Sequence, residues 1–446
     1  MRILLVQPPL NPNIIGAGTM YLLEPLALES IAASIPEEHT VEILDLRLEN
    51  TLNQKIAAFA PHIIGITALT PDVYTVNGIF ESIKKQNKNI LTVVGGQHAS
   101  IIPNDFNREY IDVIVIGEGQ DSFKELIDAY KESRDFSEIR GLALPKKDKL
   151  FFTDKREPVA NLDLLPFPAR NLIKKYHGKY FRAGWKPVTS IITSRGCPFR
   201  CNFCSVWKRE DGKYRTRSAE NVVNELLTIE DKFISVGDDN FLHDVKRAEE
   251  IYRLIKEKGI NKTFKLIARS DTIVKHPDLI EKWKEIGTEM VLIGIESFND
   301  EGLKRLNKHN SVKNNEDAIE ILHKNGITVV AQFIINPDFT EDDFKQMGDY
   351  VEKLDLSHPM FSVLTPLPGT ELFEKRYEDF VTYNYDLFDY AHSILPTKIN
   401  REKFYEHLAD LFLRTYTSKN TRENIAHVPK SIYDSIYISI RGAYKY

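Results

Sequence analysis

Thr193-Ser-Arg-Gly-Cys197-Pro-Phe-Arg-Cys201-Asn-Phe-Cys204 holds every cysteine of a 446-residue chain. The spacing is C-x3-C-x2-C. With no thiol elsewhere, a disulfide framework is excluded and all soft-metal ligation is concentrated in one loop. Gly196, Pro198, Arg200 and Asn202 make the stretch polar, unlike a run of core residues. Two metal readings are open. A structural zinc wants four ligands and usually two knuckles, and here His243 would have to stand in for the second knuckle. A 4Fe-4S cluster on three thiolates leaves one iron free for a small chelating molecule.

Downstream of this loop a βα rhythm runs for about six repeats. Strands are expected to end at Ile192, Gly237, Ala268, Ile295, Ile335 and Leu364, with helices from Pro277 to Gly287 and from Val312 to Gly326 between them. Six such units curve into a partial barrel over residues 187–370, with function at the carboxyl ends of its strands. The first end carries the cysteines. The second carries Asp238 and Asp239, which offer too few oxygens for a hard cation. The third carries Arg269, whose planar guanidinium fits a carboxylate. The fourth carries Glu296, which follows four apolar residues and is costly to bury without a partner or ligand. Gln332 and Asn336 stand at the fifth.

Upstream, residues 1–140 alternate β-rich apolar runs with helical periodicity, the pattern of a doubly wound parallel sheet. Candidate strands are Ile3 to Val6, Val41 to Leu44, Ile63 to Thr67, Leu91 to Val94 and Val113 to Ile116. The turns after them, Gln7-Pro8-Pro9, Thr67 to Thr70, Gly95-Gly96 with His98, and Gly117-Glu118-Gly119, would form one binding edge. Residues 141–186, charged and proline-rich, read as a connector. Residues 371–446, rich in Tyr and Phe, read as a helical extension over the barrel mouth, with a helix from about Arg401 to Tyr416.

With the aromatic Phe203 before its last cysteine, the loop resembles the CxxxCxΦC signature of the radical SAM superfamily. The chain as a whole resembles its cobalamin-binding branch. The resemblance implies a 4Fe-4S cluster on Cys197, Cys201 and Cys204, and S-adenosylmethionine (SAM) held by the open iron with Phe203, Asp238, Asp239, Arg269 and Glu296. It implies cobalamin at Gln7, Pro8, Thr67, Thr70, Gly95, Gly96, His98, Gly117 and Glu118. The DxHxxG motif that supplies a cobalt ligand is absent, as in most of that branch, and His98 is expected at the corrin edge or in solvent. The implied activity is transfer of a methyl group from SAM, by way of methylcobalamin, to an unactivated carbon, with electrons from a flavodoxin or ferredoxin. Ring formation or carbon-carbon coupling with the same cofactors is the alternative, and a sensor without turnover is another. The aromatic tail leans toward an apolar small molecule such as an isoprenoid or tetrapyrrole, with a peptide or protein side chain also open.

Bulk properties agree. The composition, 42% hydrophobic and 28% charged, is that of a globular protein, and a net charge of -5 gives no support for a nucleic-acid partner. No apolar run reaches the roughly 20 residues that span a bilayer, and the cytoplasm is the expected address.

Overall fold

Five runs rich in Val and Ile become the parallel strands of the first sheet: β1 Arg2–Gln7, β2 Thr40–Asp45, β3 Ile63–Thr67, β4 Leu91–Gly95 and β5 Val113–Val115. The computed structural model describes residues 1–16, 18–182, 184–356, 358–416 and 430–445, with backbone alone at 430–433. Its chain divides into one unit of Met1–Ile14, Glu24–Lys179 and Asn384–Asp386, and a second of Ile15–Leu23, Tyr180–Tyr383 and Leu387–Tyr446.

In the first unit the spatial order is β2-β1-β3-β4-β5. The chain passes from β1 to β2 on one side and then crosses back to β3 on the other, so the topological switch lies between β1 and β3, where open α/β sheets bind ligands. Leu4, Val6, Ile64, Ile66 and Ile114 pack with Val76, Phe80 and Ile83 of the helix Val73–Gln86 on one face. Ile3, Leu5, Val93 and Val113 are as deeply buried on the other. Burial on both faces is why these strands read as continuous apolar runs. Two further strands, β6 Leu142–Lys146 and β7 Lys149–Phe152, extend the sheet as an antiparallel hairpin. That hairpin lies inside the stretch expected to be connector. Its turn falls in the run Lys146-Lys-Asp-Lys149, whose charge hid the pairing.

The second unit holds β8 Val188–Ile191, β9 Phe233–Val236, β10 Thr263–Ala268, β11 Thr288–Glu296, β12 Thr328–Ile335 and β13 His358–Val363. They pair in sequential order, parallel throughout, and each ends within one residue of its expected place. Side chains alternate between two faces. Val236, Leu266, Ile293 and Ala331 face the helices, meeting Leu226, Ile251, Trp283 and Leu322. Val188, Met290, Leu292 and Val330 face the inside of the partial barrel, together with Trp185. Trp185, given no role from sequence, stacks on Phe233 with ring centroids 5.1 Å apart.

The helix Arg401–Tyr416 lies where expected but does not cover the mouth. It packs beside the helix Glu341–Lys353, with Phe404 against Phe344 at 5.3 Å and Arg414 on Asp349 and Glu352. The Arg401–Tyr416 helix continues the outer helical layer, because Phe404, Leu408 and Leu411 join the helix-side core, whereas the start of the extension meets the cysteine loop, Leu372 N donating to Asn202 O at 3.1 Å and Glu374 pairing with Lys208 at 2.7 Å. Part of the expected extension, residues 417–429, lies outside the described residues.

Candidate functional site

Beyond β8 the chain turns back through a short ladder, Ser194–Arg195 against Arg215–Thr216, which sets the cysteine loop at the strand end. Backbone and amide contacts then fix the loop. Asn202 donates from its backbone to Leu306 O at 3.2 Å and from Nδ2 to Arg305 O at 2.7 Å. Asn307 Nδ2 reaches Arg200 O at 2.6 Å, and Trp207 Nε1 reaches Cys201 O at 3.0 Å. Cys201 is buried, while Cys197 and Cys204 are partly buried. Burial pushes all three thiols up, Cys204 to about 11, so each stays protonated until a cation supplies the opposing charge. Among the described residues no three of His, Cys, Asp or Glu converge as they would on a single ion. His243, the candidate fourth zinc ligand, sits edge-on against Phe199 and Tyr214 instead. Three thiols on one loop, with His243 turned to these rings, suit a cluster that keeps one iron open better than a four-ligand zinc site.

Asp238 is spent on the loop itself. Its Oδ1 accepts from Thr193 N at 2.6 Å, and its Oδ2 from Thr193 Oγ1 at 2.6 Å and Ser194 Oγ at 2.5 Å. Arg247 Nη2 stands 3.8 Å from the same carboxylate. With both oxygens already held by Thr193 and Ser194, Asp238 braces the loop, which corrects its expected role at SAM. Asp239 differs: its side chain keeps 30% of its surface open, near Arg209 at 4.0 Å. Burial raises its carboxyl, opposed by Arg209 and by the Gly196 amide, and its charge reaches Cys197 and Cys204.

Arg269 lies 3.6 Å over the ring of Phe199, inside the cysteine loop. Its Nε donates to Asp271 at 3.0 Å and its Nη2 to the carbonyls of Lys308 and His309, each at 3.1 Å. Two of its three nitrogens therefore hold protein, which narrows the carboxylate role read from sequence to Nη1. Glu296 sits at a β-bulge between β11 and β12, with φ of 65°. The bulge re-aims it inward, where Lys308 Nζ meets Oε1 at 2.6 Å with both side chains under 10% exposed. This is the partner its burial demanded. Gly294 makes room for the pair, since a Cβ there would lie 2.2 Å from Glu296 Oε1 and 2.6 Å from Lys308 Nζ. Lys308, Arg269 and Glu296 all act on the Cys201 thiol through their charges. Sequence reasoning missed Lys308 and Phe199. The Lys308 partnership crosses twelve residues without a motif, but Phe199 was visible between the first two cysteines. Phe203 is partly buried in the same loop. Asn336 Oδ1 accepts from Asp338 N, a turn cap.

In the first unit, Gln7, Pro8, Thr67, Thr70, Gly95, Gly96 and Gly117 all lie at the carboxyl ends of β1, β3, β4 and β5, the edge that contains the switch point. His98 does not belong to it. The ring is fully buried, with Nδ1 3.1 Å from Thr70 Oγ1 and Nε2 2.8 Å from Asp105 Oδ2, and it packs edge-on to Tyr385 at 4.9 Å. With both nitrogens engaged it is a core histidine, neither at a corrin edge nor in solvent. Glu118, half-buried in the turn after β5, accepts from Val159 N at 2.7 Å through Oε2, tying down the chain after the hairpin.

Both regions suit the cofactors named from sequence. In the turn after β9, both polar atoms of the Asn240 side chain are buried at 1% exposure with no hydrogen-bond partner among the described residues. An orphan amide of this kind costs on the order of 1–3 kcal/mol and fits a ligand with polar groups of its own, as SAM has. In the first unit Leu69, between Thr67 and Thr70, is 53% exposed, apolar surface suited to the flank of a macrocycle.

Two family models match, the radical SAM superfamily over residues 191–351 and the B12 binding domain over residues 12–127. An uncharacterized methyltransferase of Pyrococcus horikoshii is 34% identical over 386 residues, covering 84% of this chain and 83% of its own. The chain belongs to the cobalamin-binding radical SAM family. It is a cobalamin-dependent radical SAM methyltransferase, with a 4Fe-4S cluster, SAM and cobalamin as cofactors. The hopanoid C-3 methylase of Methylococcus capsulatus is 29% identical to this methyltransferase over 395 residues, 86% of the chain and 75% of the relative. The cobalamin-dependent SAM radical enzyme OxsB, solved with aqua-cobalamin and SAM, shares its fold: the TM-score is 0.75 at 17% identity, over 98% of this chain and 71% of that one. No helix among the described residues is long and apolar enough to cross a membrane.

Proposed function

We propose that this radical SAM methyltransferase places a methyl group on an unactivated carbon of a small, largely apolar organic molecule. Cys197, Cys201 and Cys204 would hold the cluster, and Asp239, Asn240 and the Lys308–Glu296 pair would receive SAM beside it. Gln7, Pro8, Thr67, Thr70, Gly95, Gly96 and Gly117 would line the cobalamin edge. The bound cofactors supply radical cleavage of SAM and a transferable methyl group. An electron donor of the flavodoxin or ferredoxin type would feed the cluster.

What the chain's own residues do is position and exclude. Asp238 pins Thr193 and Ser194, so the cysteine loop keeps one shape. Arg269 braces that loop through Phe199. Lys308 neutralises Glu296 in a dry site, where a carboxylate oriented by one cation can still accept hydrogen bonds from hydroxyl groups. Hydrogen abstraction from carbon needs no general base, and none is assigned. The inner face of the barrel, lined by Trp185, Phe233, Met290, Leu292 and Val330, supports an apolar substrate, as does likeness to a hopanoid methylase.

The observation that carries this reading is the gathering of three cysteines, Asp239 and the buried Glu296–Lys308 pair at the carboxyl ends of one parallel sheet. The test is incubation of anaerobically reconstituted, cobalamin-loaded protein with SAM carrying a deuterated methyl group and a lipid extract of a deletion strain. A product that gains the labelled methyl at carbon supports the reading. Conversion of a metabolite without label uptake contradicts it.

A further inference from the structure

Among the described residues, two cations at the inner face of the partial barrel, Lys265 and Arg182, the latter bridged to Trp185, have no acid of their own. In β10, Phe264, Leu266 and Ala268 face the helices, so Lys265 points to the inner face, where it is 1% exposed. Register places it beside Ser235 of β9 and Met290 of β11. Among the described residues no hydrogen bond or ion pair engages its Nζ. Arg182 belongs to a short ladder, Phe181–Arg182 against Tyr21–Leu22. Its Nε is buried without a partner, and its guanidinium lies 5.3 Å from the ring centre of Tyr21.

The two are close enough to oppose each other. Burial holds Lys265 well below the ordinary lysine range, and the charge of Arg182 lowers it further. Burial also lowers Arg182. The charge of Asp238 favours protonated Lys265, but the Asp238 oxygens are already held by Thr193 and Ser194. A buried cation without a counter-charge is costly, and two that repel each other cost more. The same pair becomes favourable when a ligand brings the missing negative charge into a low-dielectric site.

We propose that Arg182 and Lys265 form an anion-binding subsite in the barrel, holding a phosphate or carboxylate group of the substrate while its carbon skeleton lies along Trp185, Met290 and Leu292. This rests on the reading of the barrel as the substrate site and makes the substrate an amphiphile. Trp185 and Met290 supply the apolar wall directly beside the two cations in sequence or register.

The experiment is calorimetric titration of cobalamin-loaded, cluster-reconstituted full-length protein, saturated with SAM so that the SAM carboxylate pocket is filled. Inorganic phosphate and acetate are titrated separately into wild type, Arg182→Met, Lys265→Met and Lys265→Arg. At least one anion should bind wild type, weaken by about tenfold or more in each Met variant, and recover in Lys265→Arg. Dependence for phosphate marks a phosphate-bearing substrate, and dependence for acetate a carboxylate-bearing one. Equal binding by wild type and both Met variants, or no binding of either anion by wild type, overturns the proposal. Lys265→Met replaces a buried amine that has no hydrogen-bond partner among the described residues and should melt no lower than wild type, which separates lost binding from lost fold. Release of 5'-deoxyadenosine by the same samples reports on the enzymatic reading independently, so either can fail without the other.

Discussion

Asp238→Ala should loosen the cysteine loop without touching a cysteine. The side chain accepts three hydrogen bonds of 2.5–2.6 Å from Thr193 and Ser194 and faces Arg247 at 3.8 Å. Its removal orphans the Thr193 amide and both hydroxyls and leaves Arg247 as a buried cation. Removing one partner of a buried ion pair costs about 3–5 kcal/mol. At roughly 2–4 °C per kcal/mol for a unit of this size, the melting temperature should fall on the order of 10 °C. Asp238→Asn keeps an acceptor for the Thr193 amide and loses only the charge, so its cost should be smaller, about 1.5–3 kcal/mol. The assay is thermal unfolding of anaerobically reconstituted protein, paired with iron content per chain. The expected order is wild type, then Asn, then Ala, with iron falling in parallel because Thr193 and Ser194 lead into the loop. An Ala variant melting within about 2 °C of wild type with full iron would refute the reasoning, since no buried-pair loss is that small.

Gly96→Ala should fail in the first unit. At φ of 103° and ψ of -175° the backbone is in glycine territory, and a Cβ would lie 2.7 Å from Ala68 N. Strain of about 1–3 kcal/mol adds to that clash, and a drop in soluble, cobalamin-competent protein checks it. His98→Gln should lower stability by about 1–3 kcal/mol through its lost bonds to Thr70 and Asp105, yet leave the visible spectrum of bound cobalamin unchanged; a spectral change would make His98 a cobalt ligand. Lys308→Met strands Glu296 and should cost about 3–5 kcal/mol, with part of the loss recovered in the Lys308→Met, Glu296→Gln double variant in a denaturation cycle. Asp72→Asn should stabilise at pH 7 relative to pH 4. Burial pushes the Asp72 carboxyl up from 3.8 to about 6. Between those values the unfolded chain releases a proton that the folded chain retains, so wild-type stability falls as pH rises and the Asn variant escapes that loss. Melting curves across that range show it, and a constant difference would reject it.

The parallel strands of both sheets were legible because most are buried on two faces and read as apolar runs, several of them ended by Gly, Pro or Asp. The hairpin β6–β7 was not, because its strands are short and a lysine-rich turn joins them. At the site, the cysteines and Glu296 could be read locally: three thiols in one loop, and a carboxylate too deep to stand alone. Asp238 and His98 could not. A fully satisfied buried acid and a ligand-binding acid look alike in sequence, and only the positions of Thr193, Ser194 and Arg247 tell them apart. His98 likewise needed Thr70 and Asp105 in view. Lys308, Arg182 and Lys265 matter through contacts, or missing contacts, that no spacing encodes.

The most direct test of the central claim is release of 5'-deoxyadenosine from SAM under anaerobic reduction, measured for cobalamin-loaded wild type and Cys201→Ala side by side. The account predicts release by wild type, none by the variant, and equal cobalamin in both. Release by Cys201→Ala at the wild-type level, or none from wild type carrying its full iron, would contradict it.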